Sequence, residues 1–174
     1  MKEVSMKERL LREIAGILFI ALAFFLFLSL VSYSPKDPSF FSHISPKMKD
    51  IQNWMGIVGA YLSSLLFQGF GFPSFLIPIL IGLYGCSFIF RWQVKPLSLK
   101  VGSWAVILLS TSSLFGLWLK PIRFFPQDVL VGGFLGEMIS RSLVRYFNPP
   151  GATVLLALIL VLSFILGTGI SVIS

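Results

Sequence analysis

Four stretches of the chain carry no charge and are long enough to cross a bilayer core, which takes about 20 apolar residues in helical form. They cover residues 14–33, 72–90, 101–119 and 151–173. The uncharged run from 56 to 90 is too long for one crossing, and Gly69, Gly71 and Pro73 interrupt it. Residues 54–68 therefore predict a separate short outer helix ahead of the second span. A second short outer helix is predicted over 129–147, ahead of the fourth. Along it Glu137, Arg141 and Arg145 share one face, and Leu135, Ile139 and Leu143 share another. Such a helix can lie in the interface with its apolar side down, or pack on the bundle or a neighbouring subunit. The stretch 56–68 has no charge at all and is expected to sit deeper. The fold class is thus an all-α membrane protein, a single transmembrane domain over 1–174. It has four transmembrane helices and two short outer helices.

Composition strengthens this reading. Hydrophobic residues make up 56% of the chain and charged residues 12%, with a mean hydropathy of +0.89. Soluble domains hold about 25% charged residues, so an ordinary cytosolic enzyme is excluded. The net charge of +7 does not form one patch that would suit nucleic acid. Its basic residues flank the apolar runs. Lys2, Lys7, Arg9 and Arg12 lie in 1–13, and Arg91, Lys95 and Lys100 in 91–100. These two segments are ~threefold denser in Lys and Arg than 34–71 and 120–150, so 1–13 and 91–100 are expected to be cytoplasmic, with both termini inside. Trp54 and Trp118 then suit the outer interface, Trp92 and Trp104 the inner one. No small-residue cleavage site follows the first span, which reads as an uncleaved signal anchor. The chain stops at Ser174, directly after the fourth apolar stretch. That reads as a boundary within a longer polypeptide, with a short natural tail as the alternative.

The two outer segments resemble each other. Gly59-Ala60-Tyr61-Leu62 aligns with Gly132-Gly133-Phe134-Leu135, and the likeness continues to Leu66 and Ile139. Two apolar helices can match by chance, but each lies between one span and the next, which favours a duplicated span–outer helix–span module. Lipid tails are as apolar as Leu, so small residues must bring the helices together. Candidate packing ladders are Gly56, Ala60 and Ser64 on the first outer helix, and Ser163, Gly167 and Ser171 on the fourth span. Gly59, Gly132, Gly133 and Gly136 join them as packing candidates. Ser110, Thr111, Ser112 and Ser113 can bond back to their own helix or across to a neighbour. Pro78 is expected to kink the second span.

Chemistry is sparse. There is no phosphate-binding loop, no nucleophile elbow and no zinc-protease motif. The single histidine, His43, has no acidic neighbour, and the single cysteine, Cys86, has no internal partner. No catalytic residue, metal or cofactor is expected, and no ionisable residue falls inside a span. That absence speaks against proton-coupled transport. In the first outer loop Asp37 is expected to cap a turn with Pro38 at its first position, while Tyr33, Phe40 and Phe41 meet the headgroups. Asp37, Phe40, Trp54 and Arg141 are candidate contacts for partner proteins.

Three segments carry a family resemblance. Ser32-Tyr33-Ser34-Pro35-Lys36-Asp37-Pro38-Ser39-Phe40 resembles the exit from the first span in FtsK-type bacterial DNA translocases. Asn53-Trp54-Met55-Gly56-Ile57-Val58-Gly59-Ala60-Tyr61-Leu62 is similar to that family's N-x-x-G-x-x-G-A-x-L stretch, and Gly132-Gly133-Phe134-Leu135-Gly136 to its Gly-rich outer helix. The resemblance implies a membrane anchor and oligomerisation module, a hexamer, at the division septum of a bacterial inner membrane, among other cell-division membrane proteins. In that family a linker and an ATP-driven motor follow; neither is in this sequence, so no nucleic-acid binding is expected here. The alternative is a small channel or transporter subunit built from two repeats.

Overall fold

The computed structural model describes residues 6–40, 51–90, 97–124 and 127–168. Among these, four helices are long and apolar enough to cross a membrane, and a fifth is shorter. The first is α1, Met6–Val31, in which the expected span is extended by a charged turn where Arg9 pairs with Glu13 at 3.1 Å. Next comes the short helix α2, Gly56–Phe70. A 3-10 turn, Phe72–Phe75, leads straight into α3, Leu76–Ile89. Then follow α4, Leu97–Trp118, and a small antiparallel hairpin of β1, Ile122–Phe124, with β2, Gln127–Val129. The chain finishes in α5, Gly133–Thr168, whose 36 residues bend at Asn148.

Three expectations are refined here. The second outer helix starts at Gly133, because 127–129 pair as a strand in the hairpin. The first starts at Gly56, which leaves Trp54 in the turn before it. Pro78 falls in the first turn of α3, right after the 3-10 turn, and so near the start of the span, where Pro is tolerated, rather than in its middle.

The spans form two antiparallel pairs. In the first, Gly16 of α1 lies against Gly85 and Ile89 of α3, Ala23 faces Gly82, and the Phe27 and Phe75 rings meet at 6.1 Å. In the second, Gly167 of α5 packs on Ser103 of α4, and the Trp118 indole donates to Thr153 at 2.9 Å. The pairs touch where Tyr84 meets Trp104, ring centroids 5.8 Å apart, with the Lys100 ammonium 6.0 Å from the Tyr84 ring. At the opposite end α2 and the first half of α5 pack together as a cap, and the hairpin leads into the latter.

The interior is built from small side chains. Among the described residues the largest fully buried ones are all serines: Ser29, Ser63, Ser74, Ser112, Ser113 and Ser140. Large apolar side chains such as Phe24, Val154, Leu158 and Leu166 face outward. This inverts a soluble core, as expected where the surroundings are hydrocarbon and close backbone approach drives packing. The serine-threonine cluster does both things open to it. Thr111 and Ser113 bond back to Ile107 and Leu109 carbonyls at 2.7 Å each, while Ser112 reaches across to the Phe70 carbonyl at 3.0 Å.

Candidate functional site

The cap is a duplicated structure, and its register differs from the one read from side-chain likeness. Gly56 opens α2 at φ +66°, after a turn closed by its N–H on the Asn53 carbonyl at 2.9 Å. Gly133 opens α5 at φ +66°, after a turn closed on the Leu130 carbonyl at 3.0 Å. Gly56 thus matches Gly133, not a residue four positions away. The pattern Gly56-x-x-Gly59-x-x-x-Ser63 recurs as Gly133-x-x-Gly136-x-x-x-Ser140, and both serines donate to a carbonyl three residues back, at 3.2 and 3.0 Å. At the same offset α2 leaves through Gly71 (φ 68°, ψ −145°) and the cap half of α5 through Asn148 (φ 56°, ψ 164°). Pro73 and Pro150 follow in matching places. Each repeat is therefore a lead-in turn, a short helix, a one-residue elbow and a span. Similarity of apolar type misaligned the helices; similarity of backbone role aligns them.

The first repeat closes its loop with side chains. Asp37 is turned inward, 5% exposed, and its carboxylate accepts the Gln52 and Asn53 amides at 2.8 and 2.9 Å. Two such charge-assisted bonds tie the loop to the end of α1. The turn just before it, closed by the Asp37 N–H on the Ser34 carbonyl at 3.1 Å, is capped by the Ser34 hydroxyl, which accepts the Lys36 N–H at 3.3 Å. Asn53 goes further, donating to the Ser29 carbonyl at 2.8 Å, the Ser32 carbonyl at 3.3 Å and the Ser63 hydroxyl at 3.2 Å. Beside this knot, burial pushes the Tyr33 phenol above its ordinary range; Gln68 works against that rise and the Asp37 charge adds to it.

The second repeat closes its loop with backbone. The hairpin pairs Ile122 with Val129 and Phe124 with Gln127, and bare glycines do the rest. Gly132 and Gly136 press on the Ser112 carbonyl so closely that a Cβ on either would collide with it. The repeats join where Phe72 donates to the Val131 carbonyl at 2.9 Å and where Gly71 and Gly133 meet with no room for a side chain.

The other candidates separate clearly. Ala60, Ser64 and Gly59 are buried in α2, but a Cβ on Gly56 meets nothing within 4 Å, so its place in the ladder is not one of packing. Ser163 and Gly167 are buried against α4 of the same chain. Asp37 is no surface contact. Phe40 is 67% exposed with its ring 4.9 Å from Tyr61, Trp54 is 66% exposed, and Arg141 points outward beside Glu137 at 3.1 Å. Phe41, His43, Trp92 and Ser171 lie outside the described residues. Among the described residues no group of three His, Cys, Asp or Glu side chains could hold a metal.

Comparison with known proteins agrees with the four-span architecture. Residues 8–174 match the family described as the 4TM region of DNA translocase FtsK/SpoIIIE. The chain is 32% identical to DNA translocase FtsK of Shewanella oneidensis over 98% of its own length and 19% of that protein. It is 32% identical to DNA translocase FtsK of Pseudomonas syringae over 83% of the chain and 18% of the relative. With DNA translocase FtsK of Rickettsia typhi it shares 33% identity over 68% of the chain and 15% of the relative. The chain thus spans about a fifth of the length of these relatives. No solved structure matches it. A multi-pass membrane segment with two repeated caps, matched over nearly its whole length, belongs to the FtsK/SpoIIIE translocase family as its four-span region.

Proposed function

We propose that this segment holds a DNA-pumping translocase in the bacterial plasma membrane at the division septum and gathers copies of it into a homo-oligomer, a hexamer by resemblance to the family. The observation that carries the proposal is the match of residues 8–174 to the four-span region, against relatives about five times as long. The remaining length of those relatives leaves room for machinery that such a segment would tether. The mechanism is positional. Confining motor chains to one small patch of membrane raises their effective concentration, so weak contacts between them become productive. ATP hydrolysis and DNA binding belong to other parts of the protein.

In this reading 1–13 and 91–100 face the cytoplasm and the cap faces outward. Phe40, Trp54 and Arg141 present side chains there to other division proteins. The buried hydroxyls of Ser29, Ser112 and Ser113 donate to protein carbonyls, which favours helix packing over a polar conduit. A fluorescent fusion tests the role: accumulation at midcell supports it, and even labelling of the whole envelope refutes it. Reporter tags after Arg91 and within 46–50 test the sidedness, with the first expected inside and the second outside.

A further inference from the structure

The joint between the two repeats is one-sided. The first repeat's elbow, around Gly71, sits on the second repeat's lead-in turn, around Val131 and Gly133. It is fixed by the Phe72–Val131 bond at 2.9 Å and by Ser112 on the Phe70 carbonyl at 3.0 Å. A two-fold arrangement would also place the second elbow on the first lead-in turn. It does not. Tyr146 and Phe147 at the second elbow are 78% and 51% exposed, Trp54 at the first turn is 66% exposed, and Gly56 has open space where Gly133 is enclosed. Each chain therefore contains one closed joint and the two exposed halves of another.

We infer that a second copy of this chain completes the pattern, its Tyr146–Pro149 elbow seating on the Trp54–Gly56 turn of the first. This inference rests on the self-assembly reading above and specifies its surface. The contact is heterologous, so every chain gives one elbow and receives one, and the arrangement closes as a ring or propagates. Because the two elbows are equivalent parts of one duplicated frame, the chains meet at the same depth in the cap.

The joint between copies is looser than the one inside a chain. Pro149 stands where Phe72 donates its N–H, and so offers no donor; Asn148 stands where Gly71 has no room for a Cβ against Val131, so its own Cβ holds the two backbones further apart than inside the chain. Tyr146 is accommodated, because its counterpart Gly69 has nothing within 4 Å of a Cβ. Aromatic side chains with little rotamer entropy to lose, Tyr146, Phe147 and Trp54, replace the missing backbone bond, as they do at the centres of many interfaces.

The test uses the full-length protein in native membranes, with Cys86 and any other native cysteine replaced by Ser. Two differently tagged copies are co-expressed, one carrying Trp54→Cys and the other Tyr146→Cys, and exposed to a short bifunctional thiol crosslinker. The expected result is a dimer containing both tags, at least tenfold more abundant than dimers of either variant with itself. Both substitutions on one chain should give a ladder extending past the dimer. Trp54→Cys copies linking to one another as readily as to Tyr146→Cys copies would overturn the head-to-tail joint. So would no mixed crosslink from a protein that still elutes as an oligomer in mild detergent, while leaving self-assembly intact. A monomer in mild detergent with no crosslink in membranes would reject both.

Discussion

The two repeats share one frame and hold it by different means. In the first, Asn53 and Asp37 reach across the loop with side chains; in the second, a hairpin and bare glycines bring backbone against backbone. A side-chain knot can yield a little when a neighbour grows. A backbone contact cannot, because moving it moves two helices.

The sharpest way to break the symmetry is to exchange the elbow residues. Gly71→Asn puts a Cβ into the Val131 carbonyl, and we expect a loss of roughly 3 kcal/mol or more in SDS-titrated unfolding. Gly136→Ala should cost about 2–3 kcal/mol in the same assay, since its new methyl meets the Ser112 backbone, against about 1 kcal/mol for Gly59→Ala. At Gly59 the nearest atoms are the Asn53 Oδ1 and the Met55 Cβ, both on the turn before α2, and the Ser29 hydroxyl; a turn gives way more readily than the α4 backbone that Gly136 would strike. Equal losses at Gly59 and Gly136 would erase the distinction between the repeats.

Asn53→Ala tests the knot directly. It strips partners from two carbonyls and the Ser63 hydroxyl, so about 2 kcal/mol should disappear. Faster limited proteolysis within 32–55 should accompany it, with the β1–β2 hairpin of the second repeat unaffected. Asn148→Gly runs the other way. A non-glycine residue at φ 56°, ψ 164° is strained, and relieving it should raise the thermal midpoint in detergent, through roughly 1 kcal/mol. Smallest of all, Glu137→Gln removes an i,i+4 pair whose arginine is 77% exposed. A change above a few tenths of a kcal/mol would mean that this pair does more than helix-surface pairs usually do.

What could be read in advance follows the range of the forces involved. The four spans announce themselves because bilayer thickness imposes a length on any uncharged run. The Ser110–Ser113 hydroxyls were readable as bonding groups, and both options open to them are used. The repeat was visible but misregistered, because Gly59 and Gly132 look alike as letters. Gly56 and Gly133 are alike as backbone, with positive φ and a turn closed just before each helix. The paired spacing of glycines and serine, followed by Phe70-Gly71 and Phe147-Asn148, was the signal that could have found it. Asp37 shows the harder limit. Its partners lie 15 and 16 positions away, and local capping rules say nothing about them. The hairpin escaped notice because Gln127–Val129 is too short to stand out beside the apolar stretch that follows.

Asn148 turns α5 in a single residue, and Thr153 braces the bend: its hydroxyl accepts a hydrogen bond from the Trp118 indole and donates one to the Pro149 carbonyl at 2.8 Å. Cap and shaft therefore move as a crank rather than as two pieces on a string. A push on Tyr146 then tilts the whole shaft, and the displacement is delivered at Thr168, about 30 Å along the helix axis at 1.5 Å per residue.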